Sequence, residues 1–346
     1  MKILFVWTGV TSYMADCWRK LQERSGVELK VIVECVESGK ELDKERVFRS
    51  IDIFLVEGCA ISGALEWLGE WKPDVVFAVG WHSMVVRALV LKPEWKVVPK
   101  VCCVDMPWRW KLRCIAARVV LGGFLRNYAA AFVPGQACAR YVKWLGFSRV
   151  YKGLLSVEQE RYACRSNDTE RRGFVFVGRF SGEKRLDILY RAYDCYRQKG
   201  GAWPLDLYGA GGLPDVKVKY EPTIHAFVQP TDVPRIYAEH ACLLLTSESD
   251  NWPMVALEAR VSGCEVIMSN RCGNRFELGA RVVRFGDVEM MAKTMLEVER
   301  GSRCLWRENL EQWDCTAWSD RVLRICREVR YDEQDHSALA DGSAST

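Results

Sequence analysis

Two short stretches in the second half of the chain combine basic and acidic side chains at short spacings. One reads VGRFSGEKRLD and carries Arg179 and Lys184, and the other reads TSESDNWPMVALEA and carries Asp250 and Glu258. A planar guanidinium and a flexible ammonium suit different oxygens of a diphosphate, and carboxylates accept hydrogen bonds from sugar hydroxyls. The two stretches therefore predict a binding site for a sugar nucleotide.

Each stretch has the pattern of a buried strand that ends where a helix begins. The apolar run 174–177 stops at Gly178, and a helical pattern of apolar residues starts at Leu186. The run 241–245 is followed by Asn251, a cap-type residue, before the second helical pattern. A helix N-terminus carries unpaired amides and about half a positive charge, so both junctions favour anions.

Apolar runs typical of buried strands recur in both halves of the chain, separated by helical patterns, which indicates doubly wound parallel sheets. The predicted strands are 2–6, 29–34, 51–56, 74–80, 97–104 and 130–134 in the first half, and 174–177, 204–208, 223–228, 241–245, 264–268 and 281–285 in the second. Between the halves, residues 153–172 are polar, lack a core period and are the predicted link.

These elements together resemble the GT-B glycosyltransferases, in particular the retaining family 4. Gly178, Arg179 and Lys184 match that family's G-R-x-x-x-x-K element. Asp250 and Glu258 match its E-x7-E element, with an Asp where Glu is usual. MKILFVWTGVTSYM is similar to the family's first strand and loop, LDLYGAGG to its glycine turn and VSGCEVIMSNRCGNRFE to its Gly-Asn-x-x-Glu element. The resemblance covers nearly the whole chain.

The resemblance implies an α/β protein of GT-B fold, in which two doubly wound Rossmann-like domains face each other across a cleft. The expected parts are an acceptor-binding domain over 1–155, a nucleotide-sugar donor-binding domain over 170–312, a helix over 313–330 that crosses back to the first domain, and a disordered tail over 331–346. Composition supports the last expectation, since the tail is rich in Asp, Ser, Ala and Gly.

The resemblance also implies a reaction. A hexose passes from a nucleotide-diphosphate sugar to an acceptor hydroxyl with retention of anomeric configuration, in the synthesis of a cell-surface polysaccharide or glycolipid. No side-chain nucleophile is needed, because the leaving phosphate helps to deprotonate the acceptor. Arg179, Lys184 and the amides at residues 253–254 would stabilise the charge that develops on the diphosphate. The expected catalytic residues are Arg179, Lys184, Asp250 and Asp105, and the expected donor-binding residues are Gly178, Arg179, Lys184, Gly209, Asp250, Asn251, Pro253, Met254, Val255 and Glu258.

No metal and no other cofactor is expected, since the basic pair Arg179 and Lys184 already serves the diphosphate. A competing interpretation is that the triplet Glu248-Ser249-Asp250 binds Mg²⁺ or Mn²⁺, because carboxylates two residues apart can chelate a hard cation.

Weaker candidates for the acceptor side follow predicted strands of the first half. Asp105 occupies the place where many family members have a His, and would orient the donor sugar or act as a general base, or else is a strand-end turn residue. Gly9 would bring backbone close to a ligand, and His82 would line the cleft or be structural. Arg109 and Arg113 would bind an anionic acceptor head group, or are surface charges.

Two further groups have both a functional and a structural interpretation. Gly209, Gly211 and Gly212 would lie beneath the nucleotide, or form a plain tight turn. Gly273, Asn274 and Glu277 match a family element, although Glu277 also fits a helix-start acid.

The net charge of +4 hides an asymmetry, because residues 75–157 hold thirteen basic residues against Glu94 and Asp105. Aromatic residues are interleaved with these charges: Trp81, Trp95, Trp108, Trp110, Phe124, Tyr128, Tyr141 and Trp144. The combination is typical of a peripheral membrane contact, in which each cation near an anionic surface contributes about 1 kcal/mol. A solvated basic face with buried aromatic residues is the other interpretation. No nucleic-acid-binding module is visible, so nucleic acid is not an expected partner.

Composition indicates a cytoplasmic protein that is peripheral at the inner face of a membrane. No apolar run approaches the roughly 20 residues needed to span a bilayer. The fifteen cysteines form no C-x-x-C pair, which favours free thiols in a reducing compartment, and Asp16 disrupts the pattern of a signal peptide.

Two functions of other classes stay open on the residues alone. One is a different GT-B enzyme, such as a sugar-nucleotide epimerase, which would need extra acid or base residues such as Asp105 and His82. The other is a non-catalytic sugar-nucleotide-binding protein, suggested only by Asp250 in place of Glu.

Overall fold

The computed structural model describes residues 1–9, 11–35, 43–57, 61–107, 112–162, 171–302 and 310–342. The chain forms two compact units. The first contains Met1–Glu158 together with Gln312–Thr346, and the second contains Gln159–Glu311. The chain thus leaves the first unit within the predicted link and returns to it just ahead of the last helix.

The first unit is built on a parallel sheet. Its described strands are β1 (Lys2–Thr8), β2 (Glu28–Cys35), β3 (Ile53–Glu57), β4 (Val75–Val79), β5 (Lys100–Cys103), β6 (Ala130–Val133) and β7 (Val150–Lys152). They lie in the order β3-β2-β1-β4-β5-β6-β7, and every neighbouring pair is parallel. The described helices between them are α1 (Ser12–Gln22), α2 (Lys44–Val47), α3 (Ile61–Leu68), α4 (Met84–Val90), α5 (Leu112–Leu125) and α6 (Gln136–Leu145).

The sheet of the first unit is buried on both faces, since successive side chains of a strand point in opposite directions. Leu4 and Val6 of β1 join a core that includes residues of α4, α5 and α6. Phe5, between them, contacts Trp18 of α1 and Trp318 of the last helix, with ring centroids 6.0 and 5.7 Å away. This explains why the strands of this unit read as continuous apolar runs rather than as alternating ones.

The second unit repeats the arrangement. Its strands are β8 (Phe174–Val177), β9 (Leu205–Tyr208), β10 (Thr223–His225), β11 (Cys242–Leu245), β12 (Glu265–Ser269) and β13 (Arg281–Val283). Within the described residues they form one parallel sheet in the order β10-β9-β8-β11-β12-β13. The described helices are α7 (Gln159–Tyr162), α8 (Leu186–Gln198), α9 (Val233–Glu239), α10 (Met254–Val261) and α11 (Val288–Glu299).

The last helix, α12 (Cys315–Gly342), packs in the first unit. Its buried residues recur at helical spacing: Trp318, Val322, Ile325 and Val329. The indole N–H of Trp318 donates to the Leu154 carbonyl over 2.7 Å. The helix continues through most of the predicted disordered tail, up to Gly342. Its sequence from Tyr331 onward has no Gly or Pro before that point to end a helix already begun.

The predicted fold class, α/β with two doubly wound parallel sheets, is confirmed. The strand missing from the prediction is β7, which has only three residues, none of them buried. No helix among the described residues is long and apolar enough to cross a membrane.

Candidate functional site

The two predicted donor stretches meet at one edge of the second sheet. Strand order changes direction between β8 and β11, and such a switch point leaves a crevice at the carboxyl ends of the strands. The Thr246 hydroxyl after β11 donates to the carbonyls of Lys184 and Arg185, both over 3.0 Å. The Glu248 amide donates to the Glu183 carbonyl over 2.8 Å. These hydrogen bonds fix the loop that carries Lys184, the cationic loop, to the loop that carries Asp250, the acidic loop.

Within this edge, Lys184 and Asp250 form an ion pair. The Lys184 Nζ lies 2.5 Å from Asp250 Oδ2, and the two side chains are 19% and 12% exposed. The cation expected to meet phosphate and the carboxylate expected to meet sugar are thus in direct contact. Arg179 is exposed and forms no ion pair within the described part of the chain, so its guanidinium is available to an anion.

Arg185 is a further cation at this edge. It has a left-handed backbone conformation, with φ of 52°, between a single 3₁₀ turn and α8. Its guanidinium forms two bonds of 2.9 Å to Asp187 and one of 3.3 Å to Glu248. The bonds from Arg185 lower the pKa of the Asp187 carboxyl. The adjacent Arg-Leu-Asp sequence is a signal for this pair, which is not among the predicted site residues.

The glycines that follow β9 permit a close approach of two loops. Gly209 follows β9, and a Cβ at this position would lie 1.9 Å from the Gly178 carbonyl oxygen. A Cβ on Gly211, whose φ is +130°, would lie 2.3 Å from the Phe180 carbonyl oxygen. The amide of Gly212 donates to that same oxygen over 3.0 Å. Gly209 and Gly211 thus let the loop after β9 pair with the loop that carries Arg179, whereas Gly212 has open space around it.

The Gly273-Asn274 segment supports the acidic loop. The Gly273 amide donates to the Asp250 carbonyl over 2.9 Å, and a Cβ on Gly273 would lie 1.7 Å from the Asn251 carbonyl oxygen. The buried Asn274 amide group donates to the Pro253 carbonyl over 2.9 Å. These contacts position the backbone between Asp250 and the start of α10, which is a structural task for the predicted Gly-Asn element.

Helix α10 begins directly after Pro253. Proline has no amide hydrogen, so the expectation of a donor at residue 253 is corrected: the first backbone donors are Met254 and Val255. Glu258, one turn further on, is half-buried and accepts a hydrogen bond of 3.3 Å from the Tyr237 hydroxyl. Burial, and then the Glu258 charge, raise the pKa of Tyr237. The tyrosine therefore stays a neutral donor that orients the carboxylate.

Two hydroxyls add donor capacity at this edge. The Oγ atoms of Ser181 and Ser247 are buried and have no hydrogen-bond partner among the described residues. Ser247 is fully buried, and its carbonyl accepts a bond of 2.5 Å from the Ser269 hydroxyl. A buried unpaired hydroxyl is costly, and one at a binding edge fits the recognition of a polar ligand.

The carboxylates of the alternative metal triplet contact separate cations. Glu248 bonds to Arg185, and Asp250 bonds to Lys184. Across the described ranges, no group of three or more His, Cys, Asp or Glu side chains has the arrangement of a metal site. Nothing in this edge therefore singles out the triplet as a chelating group.

The first-unit candidates lie after three neighbouring strands. Gly9 follows β1 with φ of +86° and donates its amide to Glu34 over 2.9 Å. His82 and Asp105 follow β4 and β5, and both side chains are exposed. They share the carboxyl edge of the first sheet. Arg109 lies outside the described residues, as does the side chain of Arg113.

The aromatic residues of the basic region are largely buried. Trp95, Phe124, Tyr128 and Tyr141 are at most 8% exposed. Trp81 and Trp144 are half-buried, and Trp108 and Trp110 lie outside the described residues. These aromatic residues therefore serve the core, as the second interpretation of this region expected.

Part of the second unit matches a known protein family. Residues 171–300 match the family described as glycosyl transferases group 1. This range spans β8 to α11 and contains every predicted donor-binding residue. A search of curated proteins found no match.

Several solved structures are similar over almost the whole chain. One is a lipopolysaccharide outer core galactosyltransferase, WaaB, in its apo form, with TM-score 0.63, 16% identity and coverage of 99% of this chain and 100% of that one. Another is Anabaena HepE in complex with UDP-glucose, with TM-score 0.67, 16% identity and coverage of 97% and 100%. A third is the UDP-GlcNAc 2-epimerase of Neisseria meningitidis bound to UDP-GlcNAc, with TM-score 0.62, 13% identity and coverage of 94% and 99%. The chain therefore has the GT-B fold, and its second unit carries a domain that matches the group 1 glycosyl transferases.

Proposed function

We propose that the protein is a glycosyltransferase that moves a hexose from a nucleotide-diphosphate sugar to an acceptor hydroxyl with retention of anomeric configuration. One observation carries the proposal. At the edge between β8 and β11, Lys184 contacts Asp250, Arg179 lies in the same loop as Lys184, and Asp250 precedes the start of α10, all inside the range that matches group 1 glycosyl transferases. Cations for a diphosphate and carboxylates for sugar hydroxyls then occupy one site.

In this mechanism the charge set acts mainly on the departing diphosphate. As the bond between the anomeric carbon and the phosphate oxygen breaks, negative charge grows on the diphosphate. Arg179, Lys184 and the amides of Met254 and Val255 are donors for that charge. Lys184 exchanges its contact with Asp250 for one with phosphate, and Asp250 becomes free to accept from the sugar. Interactions that strengthen as charge develops raise the rate rather than only the affinity.

The proposal includes no metal and no other cofactor, because the diphosphate is served by side-chain and backbone donors. The leaving phosphate accepts the acceptor's proton, so no side-chain nucleophile is required. Glu258, oriented by Tyr237, is assigned to the ribose hydroxyls.

The acceptor is proposed to bind the first unit, with Asp105, His82 and Gly9 as its contacts. We further propose a glycan or lipid-linked acceptor of a cell-surface polysaccharide or glycolipid, at the cytoplasmic face of a membrane. The structural similarity to a lipopolysaccharide galactosyltransferase supports this class of acceptor.

A sugar-nucleotide epimerase is the second candidate, favoured only by the structural similarity to UDP-GlcNAc 2-epimerase. Incubation with UDP-, GDP- and ADP-hexoses, with and without oligosaccharide and glycolipid acceptors, separates the two. A transferase releases nucleoside diphosphate only with acceptor, and the product anomeric proton reports retention. A changed sugar nucleotide without acceptor would establish the epimerase, and binding without turnover would establish a non-catalytic protein.

A further inference from the structure

Helix α5 of the first unit is apolar on two sides. Its inner side, including Cys114, Phe124 and Leu125, belongs to the core. Its outer side presents Val119 and Val120, which are 84% and 76% exposed, together with Ile115 at 44%. A helix with an apolar stripe on one side is normal at a protein surface, whereas a second, exposed apolar side indicates a second apolar environment.

The neighbouring helix α4 also exposes apolar side chains. Met84 of α4 and Leu91, which directly follows it, are 63% and 50% exposed. The two helices are adjacent, because the Arg87 guanidinium of α4 lies 4.6 Å from the ring centroid of Phe124 in α5. We call the three exposed aliphatic side chains of α5, Ile115, Val119 and Val120, the aliphatic ridge.

Guanidinium groups border the ridge on both sides. Arg87 lies at the junction of α4 and α5, and Arg118 lies at the junction of α5 and α6, 5.7 Å from the ring centroid of Trp144. Both arginines are exposed, as are Arg140 and Lys143 of α6. No Asp or Glu occurs anywhere between Asp105 and Glu158. The charged side chains of the segment from α5 to α6 are therefore all positive.

A cavity of about 330 Å³ opens at the end of α5, beside the ridge. Arg118 and Arg126 contribute cations to its lining, and Leu125 and Phe147 contribute apolar surface. A cavity lined by two guanidiniums and by apolar side chains suits a phosphate group attached to hydrocarbon.

We propose that the aliphatic ridge docks the first unit onto an anionic lipid bilayer, with lipid phosphate bound by Arg118 and Arg126. Aliphatic side chains that enter the acyl boundary and cations that pair with anionic headgroups are the two components of interfacial membrane binding. The positive charge of the segment from α5 to α6 favours anionic lipid over a neutral apolar partner or a second copy of this equally basic surface. The inference deepens the membrane contact in the proposed function, and it concerns a surface remote in sequence from the donor residues.

Vesicle sedimentation of the full chain, without any sugar nucleotide, tests the proposal independently of catalysis. We expect binding to an equal mixture of phosphatidylcholine and phosphatidylglycerol, and little binding to phosphatidylcholine alone. The I115S/V119S/V120S variant should weaken binding by about tenfold or more, because its apolar area no longer enters the bilayer. Its control, L213S/V282S/M290S, changes three apolar residues of the second unit that are 45–48% exposed, and should bind like the wild type.

The charge component has its own variant pair. R118Q/R126Q should lose about fivefold affinity per cation at low salt, whereas K217Q/K293Q, at exposed positions in the second unit, should lose little. The proposal would be overturned if the wild type did not bind anionic vesicles. It would also be overturned if test and control variants, all with the thermal stability of the wild type, lost equal amounts of vesicle affinity. Lipid-free self-association that I115S/V119S/V120S abolishes would also overturn it, since the ridge would then join two copies of the chain.

Discussion

The sheets of the two units have the same strand order around the switch point, but different side chains lie at their carboxyl edges. In the second unit, polar groups of both signs converge on the carboxyl edge, and Lys184 and Asp250 are in contact there. Among the residues that the structure describes, the corresponding edge of the first unit has Gly9, His82 and Asp105 as candidates, while the basic residues of this unit are spread over helices that also expose aliphatic side chains. The doubly wound fold thus provides the same kind of sheet edge in both units, and the loop residues after each strand decide which chemical groups lie there.

Lys184→Gln should have the largest effect on the difference between the two edges, because it removes a cation from the edge of the second unit. We expect turnover to fall by about 10²- to 10³-fold, the usual effect of deleting one group that stabilises transition-state charge. Steady-state release of nucleoside diphosphate in the presence of acceptor measures it. Lys217→Gln, at an exposed lysine of the same unit, is the control, and equal rates in the two variants would remove Lys184 from the mechanism.

Gly209→Ala tests whether the glycines of this edge serve a close approach of backbones. A Cβ would lie 1.9 Å from the Gly178 carbonyl oxygen, so the two loops must separate. We expect the free energy of unfolding to fall by about 1–3 kcal/mol. Thermal or denaturant melts of Gly209→Ala and Gly212→Ala measure the difference, since Gly212 has nothing within 4 Å of its added Cβ. A similar loss in both variants would contradict the structural explanation.

Asp250→Asn tests whether, at this edge, Lys184 serves the diphosphate and Asp250 serves the sugar. The substitution releases Lys184 from its ion pair and weakens a carboxylate acceptor for the sugar. Free nucleoside diphosphate should bind as tightly as before or more tightly. The advantage of the intact sugar nucleotide over the diphosphate should shrink by about five- to tenfold.

Titration calorimetry with both ligands measures these affinities, and Asp215→Asn is the control at an exposed acid. An unchanged advantage of the sugar nucleotide in Asp250→Asn would assign the sugar contact to another residue.

Asp187→Asn gives the smallest expected effect. Hydrogen bonds from Arg185 hold the pKa of Asp187 below its ordinary value of 3.8. A lowered folded-state pKa stabilises the protein above the unfolded-state value, and this contribution is lost as pH falls through the folded-state pKa. The free energy of unfolding of the wild type should therefore exceed that of the variant by up to about 1 kcal/mol near neutral pH. This difference should shrink below about pH 4. Melts across this range check it, and a difference that grows toward low pH would contradict the assignment.

The sheets and the two donor stretches were predictable from local patterns, because buried strands are apolar runs and the charged residues follow them directly. Strand β7 was not, since Val150–Lys152 is short and has no fully buried residue. One interpretation placed the interleaved aromatic residues of the basic region at a membrane surface, but most of those described are buried. Residue type alone does not tell which side of a helix faces the core, and Tyr141 is buried while Arg140 beside it is exposed.

Other features of the site depend on contacts between distant parts of the chain. The bond from Thr246 to the Lys184 carbonyl and the approach of Gly209 to Gly178 follow from strand order, which no single motif encodes. The exposed Val119 and Val120 lie in an apolar stretch whose residue types alone do not distinguish the exposed side of a helix from the buried side. Their exposure becomes visible once the opposite side of α5 is placed in the core.

The central claim is that the edge of the second unit binds the diphosphate of a sugar nucleotide without a metal. Thermal shift of the full chain with UDP-, GDP- and ADP-sugars, with and without a chelator, tests it most directly. We predict stabilisation by at least one donor that persists with chelator, disappears in Arg179→Gln and is retained in Lys217→Gln. Stabilisation that vanishes with chelator, or that survives unchanged in Arg179→Gln, would contradict the claim.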